Sequence, residues 1–163
     1  MKNSTLLRLQ LNESFDWLDQ TIGDLSPEQY SWQPGGSANP ISKLHAHTLS
    51  SADFWMNVMG LQKPMLWQGV AQKLGLPSNM IEIWKTDAPI NLSDMQEYSQ
   101  SLRDAALAVE ALEDADLERE VHAPVFGRRD VGFVIRLAGT QLAIHTGEIS
   151  AAKGLQGLQG LPF

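Results

Sequence analysis

The sequence predicts an all-α protein, a four-helix bundle with a long crossover and short extra helices. Four long segments carry apolar residues at alternating steps of three and four, which places their side chains on one face of a helix. Proline and glycine are concentrated between these segments, where they break the helices. The length of 163 residues indicates one domain, residues 1–163, with residues 154–163 as a C-terminal arm.

The first long helix is predicted over residues 4–22. We expect Ser4 to cap its N-terminus and Gly23 to end it. A short helix should follow, because Ser26 and Gln29 have the spacing of a capping box and Pro27 suits a first helical position. The apolar face of the long helix consists of Leu7, Leu11, Phe15, Leu18 and Ile22.

The second long helix is predicted to begin at Asn39 as the cap, with Pro40 at its first position, and to end at Gly60. The crossover that follows is rich in proline and glycine, with one short helix expected at residues 65–74. The buried face of the second helix consists of Ile41, Leu44, Thr48, Ala52, Trp55 and Met59.

The third long helix should begin with a capping box between Ser93 and Gln96 and end in an acidic stretch at residues 113–116. Residues 120–129 are predicted to be loop with a short extended piece. Asp130 is expected to cap the fourth long helix, which runs to about Leu155. The buried face of the third helix consists of Met95, Tyr98, Leu102, Ala105, Val109 and Leu112.

The composition excludes several classes of function. Twelve Lys and Arg against nineteen Asp and Glu give a net charge of −7, which argues against binding to nucleic acid or to an anionic membrane surface. The sequence has no Cys, so disulfides, thiolate metal sites and a cysteine nucleophile are excluded. No apolar run approaches the roughly 20 residues of a membrane span, and the first residues do not form a signal peptide, so we expect a cytoplasmic protein.

Polar residues interrupt the expected buried face of the fourth helix. Gln141, His145 and Glu148 follow one another at steps of four and three. Each would cost roughly 1–3 kcal/mol if it were buried without a partner. They therefore need partners, and the candidates are one another, water, a metal or a ligand. The simpler explanation is that Gln141 and His145 are an ordinary i,i+4 pair of helix neighbours and that Glu148 is solvated at the edge of the bundle.

Two further histidines lie on the second helix. His47 is close to the core stripe, and His45 borders the same stripe from the other side. Residues two apart on a helix point about 200° from each other, so these two cannot bind one ion together. A hydrogen-bonded core histidine is the alternative for each.

Four short motifs, in this order, resemble the DinB/YfiT-like superfamily. They are LSPEQYSWQP at residues 25–34, NPISKLHAH at 39–47, HTGEI at 145–149 and KGLQG at 153–157. The resemblance implies a four-helix bundle, often a homodimer, and a divalent metal, Ni²⁺ or Zn²⁺. Three His would hold it, one on the second helix and a His-x-x-x-His pair on the fourth. Relatives of this kind are thiol-dependent transferases and isomerases, or hydrolases.

Transferred to this chain, the resemblance places metal ligands at His47, Gln141 and His145. Gln141 departs from the pattern, because an amide oxygen binds Ni²⁺ or Zn²⁺ more weakly than an imidazole does. Glu148 would supply a further carboxylate or orient a ligand. Glu148 and His45 are the candidates for catalytic proton transfer.

Two functions stay open at this point. The first is a metal-dependent thiol transferase or hydrolase with an altered His/Gln/His site, acting on a small-molecule substrate. Its thiol would be a low-molecular-weight cosubstrate, since the chain has no Cys. The alternative is a metal-free bundle that binds a small molecule or serves as a dimeric structural module.

Overall fold

Four long helical segments form the core of the protein, and the predicted all-α four-helix bundle is confirmed. The structure is a computed structural model that describes residues 1–162. Its helices in the first half are α1 (Asn3–Ile22), α2 (Pro27–Ser31), α3 (Ile41–Asp53), a π-helical segment (Phe54–Gly60) and α4 (Trp67–Leu74). In the second half they are a 3₁₀-helix (Glu82–Lys85), α5 (Leu92–Ala106), a 3₁₀-helix (Leu107–Ala111), α6 (Asp114–Glu118) and α7 (Val131–Leu155).

The helix α7 is the centre of the packing. It contacts both α1 and α3, and α5 contacts the same two helices from its own side. The core between them is formed by apolar side chains at the predicted spacing, which burial removes from water. Among the fully buried residues are Phe15, Leu18, Ile22, Leu49, Met95, Leu102, Val134 and Leu142.

Two of the predicted helix caps are present and three are wrong. Ser26 and Gln29 form the capping box at α2, and the Asp130 carboxylate accepts the backbone N–H of Phe133 at 2.6 Å to cap α7. The hydroxyl of Ser4 instead donates to the carbonyl of Glu110 at 3.4 Å, one residue inside a helix that begins at Asn3. Asn39 is not the cap of α3, because Pro40 occupies that position. Ser93 is not the cap of α5 either, because it lies inside the helix after the cap residue Asn91.

The second long helix reaches Gly60 as predicted, but its last two turns are π-helical. Gly60 is required there, because a Cβ at this position would lie 2.8 Å from the side chain of Ile135 on α7. Asp53, the last α-helical residue, is fully buried and accepts three hydrogen bonds. Its donors are the Asn57 amide, the Trp67 backbone N–H and the Tyr98 hydroxyl, so it ties α3 to α5 and to the start of α4.

The segment predicted as loop at residues 120–129 is a β-hairpin. Strands β1 (Glu120–Ala123) and β2 (Gly127–Asp130) pair in antiparallel register, with Ala123 opposite Gly127. The predicted extended piece is thus one of two strands, and β2 leads directly into the cap of α7. The hairpin lies at the end of the bundle that carries the start of α7.

The C-terminal arm folds back along α7. Gly160 lies so close to Ser150 that a Cβ there would overlap the serine hydroxyl, and the Gln156 amide donates to the carbonyl of Gln29 at 3.0 Å. Phe163, the last residue of the predicted arm, lies outside the described residues. None of the helices within residues 1–162 combines the length and the apolar character that crossing a membrane requires.

Candidate functional site

His47 is a half-buried residue of α3, and each nitrogen of its ring has a polar neighbour. Its Nδ1 is 3.3 Å from the carbonyl oxygen of Met80. A carbonyl only accepts, so Nδ1 carries the proton and donates it, which leaves the lone pair on Nε2. Ser51, one turn further along α3, places its hydroxyl 3.4 Å from that Nε2. The ring of Trp84 packs against the imidazole with centroids 4.3 Å apart.

His47 is a neutral imidazole at neutral pH. Burial lowers its pKa, and the nearby His145 lowers the pKa further. The Met80 carbonyl and the Glu148 carboxylate act in the opposite direction, without reversing the shift. A neutral imidazole with a defined lone pair is the form that binds metal ions.

His145 is held by two residues of its own helix. Its Nδ1 is 2.5 Å from a carboxylate oxygen of Glu148, and its Nε2 is 3.1 Å from the side-chain oxygen of Gln141. The helical spacings of three and four residues place these partners on either side of the ring. The side chain of His145 is 14% exposed and that of Glu148 is 52% exposed, so the carboxylate connects the ring to solvent.

The structure brings His47 and His145 together across the α3–α7 interface. Their ring centroids are 5.2 Å apart and the rings are nearly perpendicular. Two imidazoles that bind one tetrahedral ion through nitrogens at ~2.0–2.1 Å have ring centroids about 5 Å apart. Neighbouring ligand atoms of such an ion lie ~3.0–3.4 Å from each other. The distance from the Gln141 side-chain oxygen to Nε2 of His145, 3.1 Å, falls within this range.

The donor set has two imidazoles rather than three. Within residues 1–162, no group of three or more His, Cys, Asp or Glu side chains is arranged to hold a metal ion. Glu148 faces Nδ1 of His145, the nitrogen opposite Gln141, which is the position of a residue that orients a ligand. The side-chain oxygen of Gln141, 3.1 Å from Nε2 of His145, is the oxygen donor that lies beside that nitrogen.

His45 lies apart from this site. It is fully buried, and its Nδ1 is 2.9 Å from the hydroxyl of Tyr30, which is buried as well. Burial lowers the pKa of His45 to about 3, so the ring stays neutral at neutral pH. The prediction that His45 transfers a proton at the site is not supported by this position, because the ring is fully buried and its Nδ1 is bonded to Tyr30.

An open groove lies beside the site, between the loop before α3 and the last turns of α7. It has a volume of about 300 Å³, which is at the small end of ligand sites. Glu148 lies at this groove and is the residue that links it to His145. The other lining residues are Ser37, Ala38, Asn39, Leu44, Ala151, Ala152 and Leu155.

Sequence reasoning missed three residues that contact His47. Ser51 carried a signal, since it follows His47 by four residues on the same helix. Met80 and Trp84 come from the crossover, where proline and glycine interrupt every periodic pattern. The crossover is anchored there by Lys43, whose ammonium donates to the carbonyl of Trp84 at 3.2 Å.

Comparison with known proteins agrees with this architecture. A crystal structure described as that of the conserved protein of a locus from Enterococcus faecalis has the same fold, with a TM-score of 0.80. The two chains are 14% identical, and the alignment covers 95% of this chain and 97% of that one. No curated protein matches the sequence. The family model of the DinB superfamily matches residues 10–149, so the chain belongs to the DinB superfamily.

Proposed function

We propose that this chain is a metal-dependent enzyme of the thiol-transferase or hydrolase class. His47, His145 and Gln141 would hold a divalent Ni²⁺ or Zn²⁺, and the substrate would be a small molecule. The observation that carries the proposal is the 5.2 Å between the two imidazole centroids, together with the fixed Nδ1 of each ring. When bound, the metal would lower the pKa of a water or thiol and polarise an electrophile.

The chain's own residues would orient the ligands and move a proton. The Met80 carbonyl keeps Nε2 of His47 deprotonated, and Glu148 holds the ring of His145 through Nδ1. The half-exposed Glu148 carboxylate also borders the groove, where it is placed to accept a proton from a bound molecule. A thiol nucleophile would come from a low-molecular-weight cosubstrate, because the sequence has no Cys.

A second candidate function is a metal-free bundle that binds a small molecule or forms a structural homodimer. One observation favours it: both ring nitrogens of His145 already have protein partners. The Glu148 carboxylate and the Gln141 side-chain oxygen both accept, so the ring is fully paired when it carries two protons. In this form His145 offers no lone pair to an ion.

Replacing Gln141 with His separates these two functions. We expect Gln141→His to raise the affinity for Zn²⁺ or Ni²⁺ by about 10-fold or more, since an imidazole is the better ligand for these ions. The measurement is isothermal titration calorimetry on protein purified without a His-tag, with the wild type measured in parallel.

Gln141→Ala is the matched control, since it removes the amide oxygen and adds no ligand. Weaker binding than wild type is expected for that variant. The metal proposal would be abandoned if the wild type and Gln141→His both failed to bind either ion, and the metal-free bundle would then be the better assignment.

A further inference from the structure

The tip of the β-hairpin exposes two apolar side chains to solvent. Pro124 and Val125 are the central residues of its turn, which the backbone N–H of Phe126 closes by donating to the carbonyl of Ala123 at 3.1 Å. Val125 is 99% exposed and Phe126 is 38% exposed. The side chain of Val125 therefore adds nothing to the buried core.

The backbone of Val125 is strained as well as exposed. Its φ of 70° lies in the left-handed region, which a β-branched residue rarely adopts and which glycine adopts freely. A turn with a positive φ at this position is ordinarily built with Gly or Asn. Strained residues of this kind are concentrated at sites of function, so the tip is a candidate contact surface.

Two guanidinium groups stack on the aromatic ring that supports this tip. The guanidinium carbons of Arg129 and Arg136 lie 5.3 and 5.6 Å from the ring centroid of Phe133. The ring of Phe126 contacts the same phenyl group, with centroids 5.5 Å apart. The hairpin surface, as we call this patch, consists of Val125, Phe126, Arg129, Phe133 and Arg136.

The guanidinium groups of the hairpin surface are exposed, and neither has a carboxylate partner within residues 1–162. Arg129 donates to the backbone carbonyl of Arg128, whose own side chain pairs with Glu120 at 3.4 Å. The adjacent Asp130 uses its carboxylate to cap α7. Two unpaired cations on one ring, in a chain with nineteen Asp and Glu, form a local charge that an anionic partner complements.

The hairpin surface is held in place by contacts with the bundle. The ring of Phe126 packs edge-on against the buried Trp55, with centroids 5.9 Å apart. The guanidinium of Arg119, at the start of the hairpin, donates to the carbonyl of Gly60 at 3.1 Å. Binding to a surface that is already ordered costs less conformational entropy than binding to a mobile loop.

We propose that the hairpin surface binds an acidic peptide segment of a partner protein. Carboxylates of that segment would pair with Arg129 and Arg136, since a guanidinium group binds a carboxylate through two parallel hydrogen bonds. An aliphatic side chain of the segment would cover Val125 and remove its apolar surface from water. The proposal is independent of the metal site, because His145 lies further along α7 than the turns that carry this surface.

A peptide segment fits the hairpin surface better than an anionic membrane does. The carboxyl residues Glu120 and Asp130 lie opposite each other at the base of the hairpin, and the chain has a net charge of −7. Both would repel a continuous anionic surface. A peptide segment avoids this repulsion, because it can place its carboxylates at the guanidinium groups alone.

Selection of random peptides displayed on phage against the full chain tests this inference. We expect the enriched peptides to carry Asp or Glu beside an aliphatic residue. Fluorescence anisotropy with a labelled synthetic copy of an enriched peptide then gives its affinity. The double variant Arg129→Gln, Arg136→Gln should bind this peptide about 10-fold or more weakly than the wild type.

The double variant Lys73→Gln, Lys85→Gln is the matched control. It removes the same number of positive charges from exposed residues outside the hairpin surface, so the net charge of the two double variants is equal. It should retain the wild-type affinity for the peptide. Circular dichroism verifies that each variant is folded.

Val125→Gly separates a role in binding from a role in folding. Glycine adopts the positive φ without strain, so the urea concentration at the midpoint of unfolding should not fall. The affinity for the peptide should fall by about 3-fold or more, because the apolar tip is lost. A lower unfolding midpoint would show that Val125 serves the fold, and the argument from its exposure would be overturned.

The remaining outcomes decide between partners. Failure to enrich acidic peptides, or equal affinity in the wild type and the Arg129→Gln, Arg136→Gln variant, overturns the inference. Cosedimentation with vesicles of phosphatidylserine and phosphatidylcholine tests the membrane instead. Vesicle binding that the same variant loses, without enrichment of acidic peptides, would assign the hairpin surface to a membrane. Peptide binding that requires both the arginines and Val125 supports the inference.

Discussion

Acidification from pH 6.5 to pH 3 is expected to lower the free energy of unfolding by about 4 kcal/mol through the single residue His45. Burial lowers the pKa of this imidazole from 6.5 to about 3. The unfolded chain therefore binds a proton at His45 over a pH range in which the folded protein does not. Protons favour the state that binds them, so stability falls as the pH falls through this window.

The variant His45→Asn isolates this effect. Asn does not titrate, and its amide can still hydrogen-bond the Tyr30 hydroxyl that lies 2.9 Å from His45 in the wild type. Urea unfolding between pH 7 and pH 4 should give a steeper loss of stability in the wild type, by up to about 1.4 kcal/mol per pH unit. Equal slopes in the two proteins would show that His45 has the same pKa in the folded and unfolded states, which contradicts the lowered pKa.

Carboxyl groups also change the stability of the protein in the same experiment, but they are present in both the wild type and the variant. The hydrogen bond from Lys153 lowers the pKa of Asp24, so Asp24 contributes stability that is lost only as the pH falls below its ordinary value of 3.8. Burial raises the pKa of Asp53, so the folded protein binds a proton there more readily than the unfolded chain does. Through this residue the protein therefore becomes more stable as the pH falls towards 3.8. Both contributions cancel in the difference between wild type and His45→Asn.

Replacing Asp53 with Ala is expected to destabilise the protein by about 3–5 kcal/mol. The carboxylate is fully buried and accepts hydrogen bonds at 2.8, 2.7 and 2.6 Å. Its removal leaves three donors without an acceptor inside the bundle, those of Asn57, Trp67 and Tyr98. Each buried donor that loses its partner costs roughly 1–3 kcal/mol, less whatever the local structure relaxes.

Urea unfolding at pH 7 measures this cost, and Asp53→Asn is the matched control. Asn keeps one acceptor oxygen in the same place, so we expect it to be less destabilising than Ala by about 1–2 kcal/mol. A loss below about 1 kcal/mol in Asp53→Ala would show that water replaces the carboxylate as the acceptor. Asp53 connects α3 to the start of the crossover, so its loss should also disturb the segment that contacts His47.

Local sequence signals predicted the long helices because apolar residues that repeat at steps of three and four share one helix face, and that face is the one the core buries. The stripe from Leu11 to Ile22 is buried as expected, and the caps at Ser26 and Asp130 formed as their side chains required. Ser4 did not cap α1, because its hydroxyl bonds to Glu110 in a distant part of the chain. The π-helical segment after Asp53 depends on tertiary contacts, which spacing along one helix does not contain.

The candidate site was predicted only where helical spacing controls it. Steps of three and four placed Gln141, His145 and Glu148 beside one another, as the structure has them. The pairing of His145 with His47 came from the family resemblance, because separation in sequence says nothing about which helices meet. Met80 belongs to an irregular crossover, so its contact with His47 was visible only in the structure.

The shared use of one ion by His47 and His145 is tested most directly by a double-mutant cycle in Zn²⁺ titration. Four tag-free proteins are compared by calorimetry: the wild type, His47→Ala, His145→Ala and the variant with both changes. We predict that each single change removes most of the affinity and that the double variant loses little more, because both rings act on the same ion. Affinity losses that simply add, or a single variant that binds as the wild type does, would contradict a shared site.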